Sequence, residues 1–167
     1  MSLAIAVLGA VTAQRLGELV LAQRNTRRLK AQGAYEVGAG HYPLIVSLHA
    51  AWLASLWWFG WDQAVSLPWL AVFVVLQLLR VWVIATLGER WTTRIIILPG
   101  APLVRGGPYR FLSHPNYAVV VAEIAVLPLA FNLAPVAVVF TALNALVLWV
   151  RIGVERRALS APRPADP

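Results

Sequence analysis

Five apolar runs dominate the sequence, at residues 2–22, 43–60, 68–88, 115–131 and 135–150. A helix of about 17–25 apolar residues is long enough to cross the hydrocarbon core of a bilayer. The last two runs are short and are separated only by Asn132, Leu133 and Ala134. Pro68, Pro115 and Pro135 stand at the head of the last three, where a helix tolerates the missing N–H. The runs predict an all-α integral membrane protein of five transmembrane helices, the last two a helical hairpin. One domain covers residues 1–159, and SAPRPADP at 160–167 has the composition of a disordered tail. Of 167 residues, 60% are hydrophobic and 13% charged, against about 45–50% and about 25% in soluble domains. The start MSLAIAVLGAV lacks the basic n-region and the cleavage site of a signal peptide.

The net charge of +7 would suggest nucleic acid in a soluble protein. Its placement suggests topology instead. Arg24, Arg27, Arg28 and Lys30 follow the first run; Arg90, Arg94, Arg105 and Arg110 follow the third; Arg151, Arg156, Arg157 and Arg163 follow the fifth. With five crossings all twelve fall on one side, and short-loop Lys and Arg mark the cytoplasmic face. The N-terminus is therefore expected outside and the C-terminus in the cytoplasm. Trp57, Trp58, Trp61 and Trp69 bracket the opposite loop, where an aromatic belt belongs.

Four ionisable residues remain inside the runs: Arg15, Glu18, Arg80 and Glu123. Charges in the bilayer are costly and are functional candidates by default. His49, Thr141 and Asn144 accompany them. At 1.5 Å per residue, Glu18, His49, Arg80, Glu123 and Asn144 all lie roughly 6–12 Å from the inner helix ends. Arg15 and Glu18 share a helix face, as do Asn116 and Glu123, and as do Thr141, Asn144, Arg151 and Glu155. The ordinary explanation is interhelical glue. Polar residues in the same half of all five helices argue instead for one polar cavity open to the cytoplasm. No Cys is present, and no HExxH, GxSxG, P-loop or dinucleotide-binding motif. A metal and nucleic acid are therefore not expected as partners.

Residues 103–117 read LVRGGPYRFLSHPNY. Gly107, Pro108, Tyr109, Arg110, His114, Pro115 and Tyr117 match, in order and spacing, the hallmark of the isoprenylcysteine carboxyl methyltransferase family, which includes phospholipid methyltransferases. The later RIGVERRAL, Arg151 to Leu159, resembles the family's closing R-x-x-x-E-E-x-x-L. Three positions depart from the pattern: Ser113 stands where the family has Arg, Arg156 where it has a second Glu, and Ala118 where Gly is frequent. The resemblance implies S-adenosylmethionine as cofactor. Tyr109, His114, Asn116, Tyr117 and Glu155 would line its pocket, with the backbone near Leu103 and Val104 against adenine and Gly107, Arg110 and Pro115 completing the binding segment. The N-terminal half, with QRLGELVLAQRNTRRL and GAYEVGAGHYP, resembles a bacterial branch whose members methylate alkylresorcinols or alkylpyrones.

The acceptor would be a lipophilic small molecule drawn from the surrounding membrane lipids, and the site would face the cytoplasm of a bacterial inner membrane. A prenylcysteine carboxylate is ionised at neutral pH, whereas a phenol, titrating near 10, needs a base. Glu18, His49 and Glu123 are the candidate bases, and their surplus favours a hydroxyl acceptor. Arg15, Asn25, His41, Arg80 and Asn144 are candidates for holding the acceptor. Carboxyl methylation, and a non-catalytic lipid-binding or scaffold role, are the alternatives.

Overall fold

The structure, a computed structural model, describes residues 2–160, with side chains to residue 157. Five α-helices form its frame: α1 (Leu3–Ala31), α2 (Tyr42–Gly60), α3 (Leu67–Leu87), α4 (Pro115–Ala130) and α5 (Ala134–Ser160). Two three-residue strands, β1 (Tyr35–Val37) and β2 (Ile95–Ile97), pair antiparallel with Glu36 opposite Ile96. Short 3-10 turns at Ala39–His41, Gly88–Arg90 and Gly107–Arg110 lie at the same end of the bundle. Among the described residues, α1, α2, α3 and α5 are long and apolar enough to cross a membrane, and α4 is shorter. Its 16 residues rise about 24 Å, less than the roughly 30 Å hydrocarbon core.

Helix starts follow their signals. Ser2 caps α1 by accepting from the Ile5 N–H, and prolines open α3 and α4. Helix ends do not. α1 runs to Ala31 and not 22, so Arg24, Arg27, Arg28 and Lys30 belong to a helix and not to a loop. Nothing in AQRNTRRLKAQ breaks a helix, and the chain turns only at Gly33, with φ +89°. For the same reason α5 passes 150 and reaches Ser160, through RIGVERRALS. The tail expected at 160–167 lies outside the described residues from 161 onward.

α4 and α5 form a tight hairpin. Asn132 makes the turn at φ 59°, in the left-handed region that Asn tolerates, and its amide donates to Ala64 O at 2.9 Å. The apolar core, including Leu8, Trp52, Leu56, Phe73, Ile124, Leu127 and Phe131, fills the end of the bundle away from the basic residues. Outward faces stay apolar, with Leu78, Val138 and Trp149 exposed. An apolar exterior of this kind suits lipid and not water.

Candidate functional site

A cavity of about 520 Å3 opens at the basic end of the bundle. Its walls are β2 with Leu98, the segment 101–105, the start of α4 and the last turns of α5. Trp91 is buried at its base and reaches Asn116 Oδ1 at 3.4 Å. Asn25, on the part of α1 that overruns the apolar segment, donates to Gly88 O and Trp91 O at 3.2 and 2.8 Å. Gly107 has φ +53°, and a Cβ there would stand 2.5 Å from Thr86 Oγ1. Only glycine lets the 3-10 turn settle against α3.

The polar groups of the cavity form a chain. Tyr117 donates its hydroxyl to Glu155 Oε2 at 2.7 Å and accepts from Arg151 Nε at 2.9 Å. Arg151 Nη1 donates to Thr93 O at 2.9 Å. Arg151 is 7% exposed, and among the described residues it has no carboxylate within ion-pair distance. The His114 ring stacks on Tyr117 at 5.3 Å, with Nδ1 3.9 Å from Glu155 Oε2. Burial, reinforced by the charge of Glu155, pushes the Tyr109 hydroxyl up to about 12, so Tyr109 is a neutral hydrogen-bonding group at working pH.

Leu103, Val104, Tyr109, His114, Asn116, Tyr117 and Glu155 all line this cavity; Gly107, Arg110 and Pro115 do not. Gly107 shapes the turn, Arg110 is exposed, and Pro115 faces a separate apolar groove between α3 and α4. Arg94, Arg151 and the wall Ile95–Leu98 escaped the sequence reading of the site. Arg151 had a signal, because it shares a helix face with Glu155. The run of three isoleucines had one as well, in its β-branched composition.

A second polar centre lies inside the helices. Glu123, 1% exposed, accepts from Gln77 Nε2 at 2.8 Å and Arg80 Nε at 2.7 Å on one oxygen. Its other oxygen accepts from Arg15 Nη2 at 2.9 Å and from Arg80 Nη2. Glu18 pairs with Arg15 at 2.8 Å and with Arg80 at 3.2 Å, and accepts from Gln14 at 2.9 Å. Every lone-pair direction of Glu123 is therefore taken by a donor, which leaves it no capacity to accept a proton from a substrate. His49 engages Ile45 O of its own helix through Nδ1 at 2.8 Å. Asn144 is buried, and its Nδ2, Thr141 Oγ1 and Arg15 Nε have no hydrogen-bond partner among the described residues. None of Arg15, Glu18, Asn25, His41, His49, Arg80, Glu123 or Asn144 lines the cavity. Glu123 is two turns beyond Asn116, about 10 Å along α4. One polar cavity was expected; there are two separate centres.

The sequence model of the isoprenylcysteine carboxyl methyltransferase family matches residues 69–161. An uncharacterized protein of Bacillus subtilis, YpbQ, is 37% identical over 87% of this chain and 90% of its own length. An uncharacterized protein of Haemophilus influenzae is 28% identical over 90% of this chain and 91% of its own. No solved structure gives a significant match.

Proposed function

The chain belongs to the isoprenylcysteine carboxyl methyltransferase family, and from that membership we propose an integral membrane enzyme that methylates an oxygen of a lipophilic acceptor from S-adenosylmethionine. The acceptor oxygen we assign is the hydroxyl of a lipid phenol or pyrone. One observation carries the reading. The family motif and the closing Glu155, 38 residues apart from Tyr117 in sequence, converge on one cavity through a direct hydrogen bond. Its volume suits a small-molecule site, for which about 300–1,000 Å3 is usual.

The lining fits the methyl donor. Ile95–Leu98, Leu103 and Val104 offer apolar surface to adenine, and the Glu155 carboxylate can accept from hydroxyl or ammonium groups. Arg151 is buried with two neutral partners, so its charge is available to a carboxylate. When bound, S-adenosylmethionine supplies an electrophilic methyl group on a sulfonium, displaced in line. The protein's part is positioning, the largest requirement of such a displacement. Tyr117 fixes Glu155 and Arg151 relative to each other. His114 lines the cavity with Nδ1 toward Glu155, so Nε2 is the atom that takes the acceptor's proton and Glu155 stabilises the imidazolium. That role passes to His114 from Glu18, His49 and Glu123, none of which lines the cavity. Asymmetry of basic residues supports a cytoplasmic cavity in a bacterial inner membrane, where a soluble donor and a bilayer acceptor meet.

Carboxyl methylation is the second reading, favoured by four arginines (Arg90, Arg94, Arg105 and Arg151) against the single acid Glu155 in the lining. A carboxylate acceptor arrives ionised and needs no base. The test uses purified protein in detergent, titrated with S-adenosylmethionine and then supplied with an alkylresorcinol or a farnesylcysteine analogue. Saturable binding and methylation of the resorcinol are expected, with His114→Ala slowing transfer about 100-fold or more. Transfer to farnesylcysteine alone would replace the hydroxyl assignment by the second reading. No binding at millimolar donor would leave only a lipid-binding or scaffold role.

A further inference from the structure

The family match begins at residue 69, yet the cavity wall β2 pairs with β1, which lies at 35–37. A two-stranded ribbon of three residues each is marginal by itself. Side chains around Glu36 hold it. Glu36 Oε1 accepts from Arg94 Nη1 at 2.5 Å, and Oε2 pairs with Lys30 Nζ at 2.9 Å. The Arg94 guanidinium lies 3.9 Å above the Tyr42 ring, and the Tyr42 hydroxyl meets Thr93 Oγ1 at 3.1 Å. At the far end of β1, Gly38 has φ +65°, and a Cβ there would stand 2.8 Å from Val154 on α5. The segment 35–42 thus rests on both walls of the cavity, β2 on one side and α5 on the other.

Charge adds a second constraint. Arg94 lines the cavity, and its one carboxylate partner among the described residues is Glu36. Glu36 does not line the cavity itself, and its side chain is 13% exposed. A methyl donor of the sulfonium class carries positive charge at the reacting atom. Arg90, Arg105 and Arg151 already line the cavity without a carboxylate within ion-pair distance among the described residues, and an unpaired Arg94 would add one more positive charge against it.

We infer that Glu36, from outside the region matched by the family, is a positioning residue of the donor cavity that pins Arg94 on Tyr42 and cancels its charge, which lowers the positive charge that the lining turns on a sulfonium. The inference rests on the methyl-donor reading above. It predicts a selectivity that packing alone does not produce. Glu36→Gln releases and unmasks Arg94, which penalises the cationic donor more than its neutral demethylated form, S-adenosylhomocysteine.

The experiment measures dissociation constants of both compounds for the wild type, Glu36→Gln, Arg94→Gln and the double variant, with thermal unfolding of each in the same detergent. Glu36→Gln is expected to weaken S-adenosylmethionine about tenfold and S-adenosylhomocysteine about threefold or less. Adding Arg94→Gln removes the unmasked charge and is expected to bring the ratio of the two constants back to within about twofold of wild type. A Glu36→Gln protein that weakens both compounds equally, or neither, overturns the inference. Should Glu36→Gln fail to fold, Arg94→Gln alone decides. An unchanged ratio at that variant is also fatal, because removing Arg94 leaves Glu36 with Lys30 alone and takes one positive charge from the lining, which favours the sulfonium. A wild-type protein that binds neither compound removes the donor reading first, and this inference with it.

Discussion

Glu123 accepts four hydrogen bonds, two on each carboxylate oxygen, from Gln77, Arg80 and Arg15. With Glu18 the cluster holds two cations and two anions, so it carries no net charge into the apolar interior. Such a group is stable as a whole and intolerant of partial removal. Deleting one member of a buried pair leaves the other charge uncompensated and costs about 3–5 kcal/mol. Glu123→Gln is therefore expected to lower the unfolding temperature in detergent markedly. Its carboxamide offers one acceptor oxygen and turns two donors toward Arg15 and Arg80. The folded fraction should retain methyl transfer to within about threefold, since the cluster stands about 10 Å from the cavity along α4. A loss of about 100-fold in turnover with unfolding unchanged would return Glu123 to the catalytic machinery. The residue types of this cluster were legible in the sequence, because charges in an apolar run stand out. Its partners were not: Arg15 and Glu123 are 108 residues apart, and only the packed helices bring them together.

At the scale of elements, the signals that start a helix proved sharper than those that stop one. Pro68 and Pro115 mark α3 and α4 to within a residue. α1 and α5 overrun their apolar segments because hydropathy falls there while helix propensity does not. The overrun has a consequence, since it carries Asn25 to the carbonyls of Gly88 and Trp91 at the base of the cavity. The strands escaped because each is three residues long and its partner is 60 residues away. Their pairing depends on Glu36, whose burial works against its charge but is outweighed by hydrogen bonds from Lys30 and Arg94, which hold the carboxyl below its ordinary 4.5. A lowered value in the folded state makes this a stabilising group at neutral pH. The contribution is complete above the unfolded carboxyl value and fades as pH falls through the folded one. Wild type is expected to unfold at higher temperature than Glu36→Gln at pH 7, with the gap closing below about pH 4. A gap that persists unchanged well below pH 4 would mean that shape, and not charge, binds β1 to β2.

For the whole molecule, function depends on which end of the bundle faces the cytoplasm. All the cavity arginines, Arg90, Arg94, Arg105 and Arg151, lie at the end where the basic residues of α1 and α5 also gather. Asp62 sits at the opposite turn, between α2 and α3, with Trp58, Trp61 and Trp69 exposed around it. The positive-inside rule assigns the basic end to the cytoplasm. A donor of the S-adenosylmethionine class is charged and does not cross a bilayer, so a cavity on the other face would be starved of it. The chain has no cysteine, which allows a direct test without background labelling. Asp62→Cys and Arg105→Cys place single thiols at the two ends, both at exposed positions. In intact cells a membrane-impermeant maleimide is expected to label the first and not the second, and to label both after permeabilisation. The reverse pattern would invert the molecule in the membrane. It would also separate the cavity from any cytoplasmic methyl donor, and the enzyme reading could not survive that, however well the residues around Tyr117 and Glu155 fit the chemistry.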